Sequence, residues 1–287
     1  MKKKCYQQTG SIPGAPCPAG MPAGEIPATE EGARDYLIGA GILRIPARCL
    51  ACGGSDIRLV RRNQLRCRDC RNEQSLRRGS ILDGLRISFT RFLTLVRLFA
   101  ENVSANEAAR RLGISYKTVY EVYHRLRAAI IVSESPRDPA VTDPPGGPGT
   151  GGVHHQVIFG IRFADGRVEI APVTAPDPRI IAALPVPAMQ RGNILFIDAF
   201  GKTCHGFITY DAGRNGKEVI RISARDGMSW SPLSGFWEFA GRTWSLHKGI
   251  DREHFPAFVR ELAFRYNNRG RDLYPLMIGN IARAYGS

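Results

Sequence analysis

The stretch CLACGGSDIRLVRRNQLRCRDC, residues 49–70, decides the fold of the N-terminal half because it holds two Cys-x-x-Cys pairs. The pairs are Cys49/Cys52 and Cys67/Cys70, and the 14 residues between them leave room for a short hairpin. Two thiolates in one tight turn hold a metal ion from one side, and a second such turn completes the tetrahedron that Zn²⁺ prefers. Gly53 follows the first pair, where the turn needs a residue free to take unusual backbone angles. The spacing predicts a zinc ribbon held by structural Zn²⁺.

A pair of disulfides is the alternative use of these cysteines, and the rest of the chain disfavours it. The basic start, Lys2 to Lys4, is not followed by the apolar run of a secretory signal. No stretch approaches the roughly 18 apolar residues of a membrane span. We therefore expect no membrane partner and a reducing location, cytoplasmic and nucleoid-associated. Cys5, Cys17 and Cys204 are left as free thiols.

Charge is concentrated around the ribbon and the segment that follows it. The chain of 287 residues has a net charge of +14. Residues 44–127 contain 18 Lys and Arg against 7 Asp and Glu, a local balance of +11. Basic charge gathered on small modules is typical of proteins that bind a polyanion, and double-stranded DNA is the predicted partner. A basic surface that is merely solvated is the alternative.

Residues 104–129, SANEAARRLGISYKTVYEVYHRLRAA, carry the pattern of a helix-turn-helix. Ser104 and Glu107 form a capping box that starts one helix, Gly113 ends it, and Ser115 caps the next. Helix, glycine turn and helix make the bihelical DNA-reading unit, with an ordinary helical hairpin as the alternative. The core positions of the second helix are Val119, Val122 and Leu126. Its predicted DNA-binding residues are Tyr116, Lys117, Tyr120, His124 and Arg125.

Composition changes divide the chain into five segments. The predicted segments are a disordered tail (1–28), a zinc ribbon with a leading helix (29–86), a helix-turn-helix domain (87–132), a Pro/Gly-rich linker (133–152) and a mixed α/β domain (153–287). In the last of these, HQVIFGIRF and RVEIAPV around an Asp-Gly turn predict a hairpin. NILFIDAF predicts a buried strand that ends at Asp198. GFITYD and EVIRIS predict two more strands, and helices are expected at about 233–246 and 252–267.

The order of these parts resembles the zinc-ribbon, DDE-type insertion-sequence transposases of bacteria. The likeness rests on CLACGGSDI…LRCRDCRNEQSLRRGSIL at the ribbon and on ELAFRYNNR near the C-terminus. It implies a multidomain α+β and α/β protein. In it, a zinc ribbon and a helix-turn-helix precede an RNase H-like mixed α/β domain.

In that family three carboxylates bind two divalent metal ions, which activate the nucleophile that attacks a DNA phosphodiester. Asp143 in VTDPPGG matches the place of the first acid, and Asp198 matches the second. The family's third acid is a Glu directly before Gly-Phe-Trp, but this chain has Ser234 there. Glu238 lies one helical turn further on and is the alternative third ligand. Mg²⁺ is expected only if this site is active.

Three functions remain open on the sequence. The first is a transposase-like DNA-binding protein whose nuclease site has degenerated, domesticated for DNA binding or transcription regulation. The second is an active transposase that cuts and transfers DNA strands with an unusual third ligand. The third is a zinc-stabilised scaffold for protein or RNA. A homodimer is left open in each case.

Overall fold

The chain is described here from a computed structural model that covers residues 26–134, 157–164, 167–172, 194–198, 206–212, 218–224, 234–244 and 254–286. Most of the predicted tail and linker, together with Asp143, lies outside these ranges. The chain divides into two compact units. Unit 1 comprises Met1–Val103, Ala108–Val119 and Tyr274–Ser287; unit 2 comprises Ser104–Glu107 and Tyr120–Leu273.

Unit 1 begins with a helix and a small sheet. The elements are α1 (Glu30–Gly39), β1 (Ile57–Val60), β2 (Gln64–Cys67), β3 (Glu73–Ser75) and α2 (Phe89–Ala100). The three strands form an antiparallel sheet in the order β1-β2-β3. The predicted hairpin between the two cysteine pairs is confirmed, and β3 extends it to a third strand. One face of α2 is buried and consists of five apolar residues: Phe89, Phe92, Leu95, Val96 and Phe99.

One carboxylate joins α1 to the start of α2. The Glu30 side chain accepts hydrogen bonds from the backbone N–H of Phe89 at 2.6 Å and of Thr90 at 3.1 Å. Ser88 Oγ accepts from the N–H of Arg91 at 3.2 Å. The first N–H groups of a helix have no partner within the helix and favour negative charge, so Glu30 both satisfies and stabilises this end. The contact makes the leading helix part of the core.

The helix-turn-helix elements lie where the capping residues predict them. Helix α3 is Ala105–Leu112 and helix α4 is Tyr116–Glu134. Ser104 Oγ accepts from the Glu107 N–H at 3.3 Å, and Ser115 Oγ accepts from the Thr118 N–H at 3.2 Å. Gly113 has φ +60°, the left-handed value that a helix-ending turn requires. The three predicted core positions of α4 (Val119, Val122, Leu126) are fully buried.

Unit 2 contains a mixed five-stranded sheet. Its strands are β4 (Val157–Ala164), β5 (Arg167–Pro172), β6 (Ile194–Asp198), β7 (Gly206–Ala212) and β8 (Glu218–Ala224). The order is β5-β4-β6-β7-β8, with β4 and β6 parallel and the other neighbours antiparallel. Each predicted strand is confirmed, and the last pair of the β4–β5 hairpin is Ala164 with Arg167.

Three helices follow: α5 (Ser234–Trp244), α6 (Phe255–Asn267) and α7 (Leu273–Tyr285). The first two fall within the predicted ranges, but the sequence analysis predicts no helix at the position of α7. Pro275 lies in the first turn of α7, where a missing N–H removes no helical hydrogen bond. Residues from Tyr274 onward group with unit 1, where the Arg97 guanidinium lies 4.1 Å from the Tyr274 ring centroid.

Helix α6 is fixed to the sheet by one side chain. Asn267 Oδ1 accepts from the Val168 N–H at 2.7 Å, and Asn267 Nδ2 donates to the Val168 carbonyl at 2.8 Å. The amide thus pairs with β5 as a neighbouring strand would. On the other side, Tyr266 Oη would lie 2.8 Å from a Cβ placed on Gly235, so a larger residue at this position would force the Tyr266 hydroxyl to shift.

A buried carboxylate ties α4 to α6 inside unit 2. Glu261 is 1% exposed, and its two oxygens accept from Arg127 Nε and Arg265 Nε, each at 2.7 Å. The Arg127 guanidinium also lies 5.7 Å from the centre of the Phe258 ring. A buried charge is tolerated when it is paired and hydrogen-bonded, and removing one partner leaves the others uncompensated.

We predict that Glu261→Gln lowers the free energy of unfolding of unit 2 by about 3–5 kcal/mol, because two buried guanidinium groups lose their counter-charge. Urea unfolding followed by tryptophan fluorescence measures this, since all three tryptophans belong to unit 2. The matched control is Glu238→Gln, which breaks an exposed ion pair to Arg242 and should cost at most about 1 kcal/mol. Equal losses in the two variants would contradict the structural importance of Glu261.

Candidate metal centre and nucleic-acid interface

The four cysteines of the two predicted pairs come together at one end of the ribbon. Cys49 Sγ lies 3.7 Å from Cys70 Sγ, and Cys52 Sγ lies 3.7 Å from Cys67 Sγ. All four sulfur atoms lie within 4.8 Å of one another. A tetrahedron with Zn–S bonds of about 2.3 Å has S···S edges of about 3.8 Å, whereas a disulfide bond is about 2.0 Å. The four thiols are free, and their arrangement suits a tetrahedral metal ion rather than two disulfides.

The backbone conformation of both cysteine turns directs the four thiols toward one another. In the first turn the Gly53 N–H donates to the Cys49 carbonyl at 2.8 Å, and Gly53 has φ +75° as predicted. In the second, the Cys67 N–H donates to the Asn72 carbonyl at 3.0 Å. Arg71 follows that pair as Gly53 follows the first, and it takes φ +60° although it is not glycine. The second turn therefore carries a backbone cost that the first avoids.

The local electrostatics of the cluster differ from one thiol to another. The N–H groups of Ala51 and Cys52 favour the Cys49 thiolate and lower its pKa to about 7. For Cys52, the Gly54 N–H lowers the pKa, but the Cys70 thiol, burial and the other two thiols outweigh it and raise the value to about 12. A second thiolate beside the first is disfavoured until a cation compensates the charge. Uptake of a divalent metal must therefore displace protons from the cluster.

Two of the predicted DNA-binding residues are exposed in the first turn of α4. Tyr116 and Lys117 both face solvent, and Tyr116 is 43% exposed. Arg125 is half-buried, and its Nε lies 2.9 Å from Glu121 Oε1. The first turn of the second helix is the part of a helix-turn-helix that reaches base edges in the major groove.

Tyr120 and His124, which are also predicted to bind DNA, are both half-buried in unit 2. The His254 ring covers them, with its centroid 4.2 Å from that of His124 and 5.5 Å from that of Tyr120. Within the described part of the chain, Nδ1 of His124 is buried and has no hydrogen-bond partner. Burial, followed by the charges of His254 and Arg127, lowers the pKa of His124. His124 is thus disposed to be neutral and to pack rather than to contact a phosphate.

The predicted catalytic residues lie on different elements, as far as the structure describes them. Asp143 lies outside the described residues. Asp198 is the last residue of β6, as the sequence predicts. Ser234 is the first residue of α5, and Glu238 lies one turn later with its side chain 69% exposed. Glu238 Oε1 lies 3.4 Å from Arg242 Nη1, which is the arrangement of a surface ion pair along a helix.

Two features of this region are not predicted by the sequence analysis. His254 lies 130 residues beyond His124, and no local pattern signals that the two rings meet. The sequence analysis counts the arginines of the ribbon only in the net charge of residues 44–127. The alternation of side chains along a strand could also have predicted that some of them share one face of a hairpin. Among the described residues, the four cysteines form the group of His, Cys, Asp and Glu that is close enough to hold a metal ion.

Comparison with known proteins finds no family model, no curated protein and no solved structure that matches this chain. None of the helices in the described ranges combines the length and the apolar character that a membrane crossing requires.

We predict that Cys67→Ser removes bound zinc and unfolds the ribbon, because a structural metal contributes folding free energy directly. Metal analysis of protein purified with zinc should fall from about one ion per chain to a small fraction of that. Limited trypsin digestion should then cut rapidly at the ribbon arginines. Cys204→Ser, outside the cluster, is the control and should keep its metal. Full metal content in Cys67→Ser would contradict the proposed ligand set.

Proposed function

We propose that this chain is a zinc-stabilised, duplex-DNA-binding protein of transposase-like organisation whose DDE site has degenerated. The observation that carries the proposal is the pair of exposed residues, Tyr116 and Lys117, on the first turn of the second helix of a capped helix-turn-helix. A protein of this kind acts as a domesticated DNA-binding protein, for example in transcription regulation. Its resemblance to DDE transposases implies an RNase H-like fold for residues 153–287.

Zinc is the metal that best suits the cysteine cluster. Four thiolates are soft ligands, and a tetrahedral S₄ set is typical of structural Zn²⁺. The S···S distances of 3.7 Å agree with the tetrahedral edge of such a site. Cys49, Cys52, Cys67 and Cys70 would hold the ion, which leaves no position open for substrate. The metal therefore supports the ribbon and takes no part in a reaction.

DNA is the partner that best suits the charge and the helix geometry. The segment from 44 to 127 has a balance of +11, and Lys and Arg contacts to phosphates supply most of the affinity of such proteins. The exposed phenol of Tyr116 and the ammonium of Lys117 can reach base edges or phosphates from one helical turn. A scaffold for protein or RNA would use the same zinc ribbon but would give no reason for this exposed first turn.

Degeneration of the nuclease site is supported by the state of the third acid. A serine hydroxyl at position 234 is a weak, neutral ligand for a hard divalent cation. Glu238, the alternative ligand, is directed to solvent and paired with Arg242. Mg²⁺ binding by Glu238 would have to break that pair. An active transposase remains the second candidate, favoured by the placement of Asp198 at the end of a strand.

We predict that Lys117→Ala weakens duplex binding about tenfold at 0.1 M salt if it contacts a phosphate, and makes the slope of log K against log salt shallower by about 0.9. If Lys117 reads a base, the loss is instead confined to duplexes that carry its preferred sequence. Fluorescence anisotropy with a panel of labelled duplexes separates the two. Lys217→Ala is the control of equal charge outside the helix-turn-helix. Binding that is unchanged by Lys117→Ala would remove this residue from the interface.

We predict that the unmodified protein retains duplex DNA without cutting it in Mg²⁺ or Mn²⁺, and that Ser234→Glu restores strand cleavage by supplying the third carboxylate. Complexes and cut strands are scored on one gel. Ser234→Gln is the matched control, since it adds the same bulk without a charge. Cutting by the unmodified protein that Glu238→Gln abolishes would establish the active transposase instead.

A further inference from the structure

The outer face of the ribbon sheet carries paired arginines. The register of β1 with β2 places Arg58 directly opposite Arg66, while Leu59 and Leu65 pair on the opposite face. Leu65 is buried, so the leucine face packs inward and the arginine pair faces solvent. The two arginine side chains are 59% and 48% exposed. Like charges directly opposite each other on neighbouring strands destabilise a sheet, so the ribbon does not gain stability from this pair.

The turn that joins these strands adds two more arginines. Arg61 and Arg62 are exposed, and Arg62 takes φ +59° in the left-handed region. Glycine or asparagine is the residue usually found in that conformation, and Asn63 beside it has φ +56°. A long charged side chain therefore occupies a position where a smaller residue would be less strained. We call Arg58, Arg61, Arg62 and Arg66 the arginine face.

Carboxylates compensate this charge only in part. Asp56 lies 3.0 Å from Arg58 Nε and is shared with Arg68 Nε at 3.9 Å. Glu73 lies 3.6 Å from Arg66 Nε. Residues 56–73 contain six arginines and three acids, a surplus of three positive charges in one small hairpin. Exposed ion pairs of this kind contribute little and exchange readily for another anion.

We propose that the arginine face binds the phosphate backbone of duplex DNA, as a contact independent of sequence and separate from the first turn of α4. Guanidinium groups match phosphate oxygens with two parallel hydrogen bonds and stay charged at any physiological pH. The face holds a row of them along a rigid hairpin whose register the cysteine cluster maintains. This inference rests on the proposed DNA-binding function, and it assigns to the ribbon a contact beyond its structural metal.

The test measures duplex binding by Arg58→Gln/Arg66→Gln and by Arg62→Gly over about 50 to 200 mM salt. The probes are two unrelated duplexes of about two helical turns and a single strand of the same length. The double variant should make the slope of log K against log salt shallower by about 1.8, Arg62→Gly by about 0.9, and both equally on the two duplexes. Arg86→Gln/Arg91→Gln, two exposed arginines outside the ribbon sheet, is the control of equal charge.

These variants distinguish a loss of binding from a loss of folding. Removal of opposed arginines and of a strained residue should leave the zinc content unchanged, and it should leave the thermal midpoint of unfolding unchanged or higher. Unchanged duplex binding by the face variants, or an equal loss in the control, overturns the inference even if Lys117→Ala weakens binding. A loss in the face variants alone supports it, whatever Lys117→Ala does. A loss confined to the single strand contradicts a duplex contact, and no duplex binding by the unmodified protein overturns both proposals.

Discussion

The ribbon depends on its four thiols because it has almost no apolar core of its own. Between Arg44 and Arg78 the buried apolar residues are Leu65, Leu76 and two of the cysteines themselves. Two leucines cannot offset the conformational entropy of ordering a segment of that length. A metal ion held by the four thiols would replace the missing core by joining two chain turns that lie 14 residues apart. The register of β1, β2 and β3 would then depend on that single cross-link.

The surface of the ribbon is costly for a segment so short of stabilising contacts. Arg58 faces Arg66 across the strands, and Arg62 and Arg71 each hold a left-handed backbone without being glycine. Strain and like-charge repulsion persist where the surrounding structure enforces them, and they are most common at sites that bind or react. Both costs fall on the exposed positions of a hairpin with a surplus of positive charge. An anionic ligand would relieve the repulsion, and a purely structural ribbon offers no such compensation.

Local chemistry was readable from the sequence, and packing between distant segments was not. Ser104 and Ser115 act within three residues of themselves, so their hydrogen bonds set the helix starts wherever the helices lie. The same holds for the cysteine turns, whose geometry depends on spacing alone. Tyr120 and His124 lie off the apolar stripe of α4, yet both are half-buried because His254 packs against them from the start of α6. Hydrophobic periodicity indicates which face of a helix is apolar. It does not indicate which residues from distant parts of the chain pack against the polar face.

The C-terminal residues on which the proposed resemblance to transposases rests also make packing contacts and hydrogen bonds that do not depend on catalysis. Gly235 admits the Tyr266 ring between α5 and α6, and Asn267 pairs with the backbone of β5. These contacts hold two helices on the sheet whether or not a carboxylate stands at position 234. A chain can therefore lose the third acid and keep the motifs around it without loss of fold. Likeness at these motifs accordingly argues for shared packing, whereas activity has to be argued from the carboxylates themselves. Glu238, the alternative third ligand, is exposed and paired with Arg242 on α5.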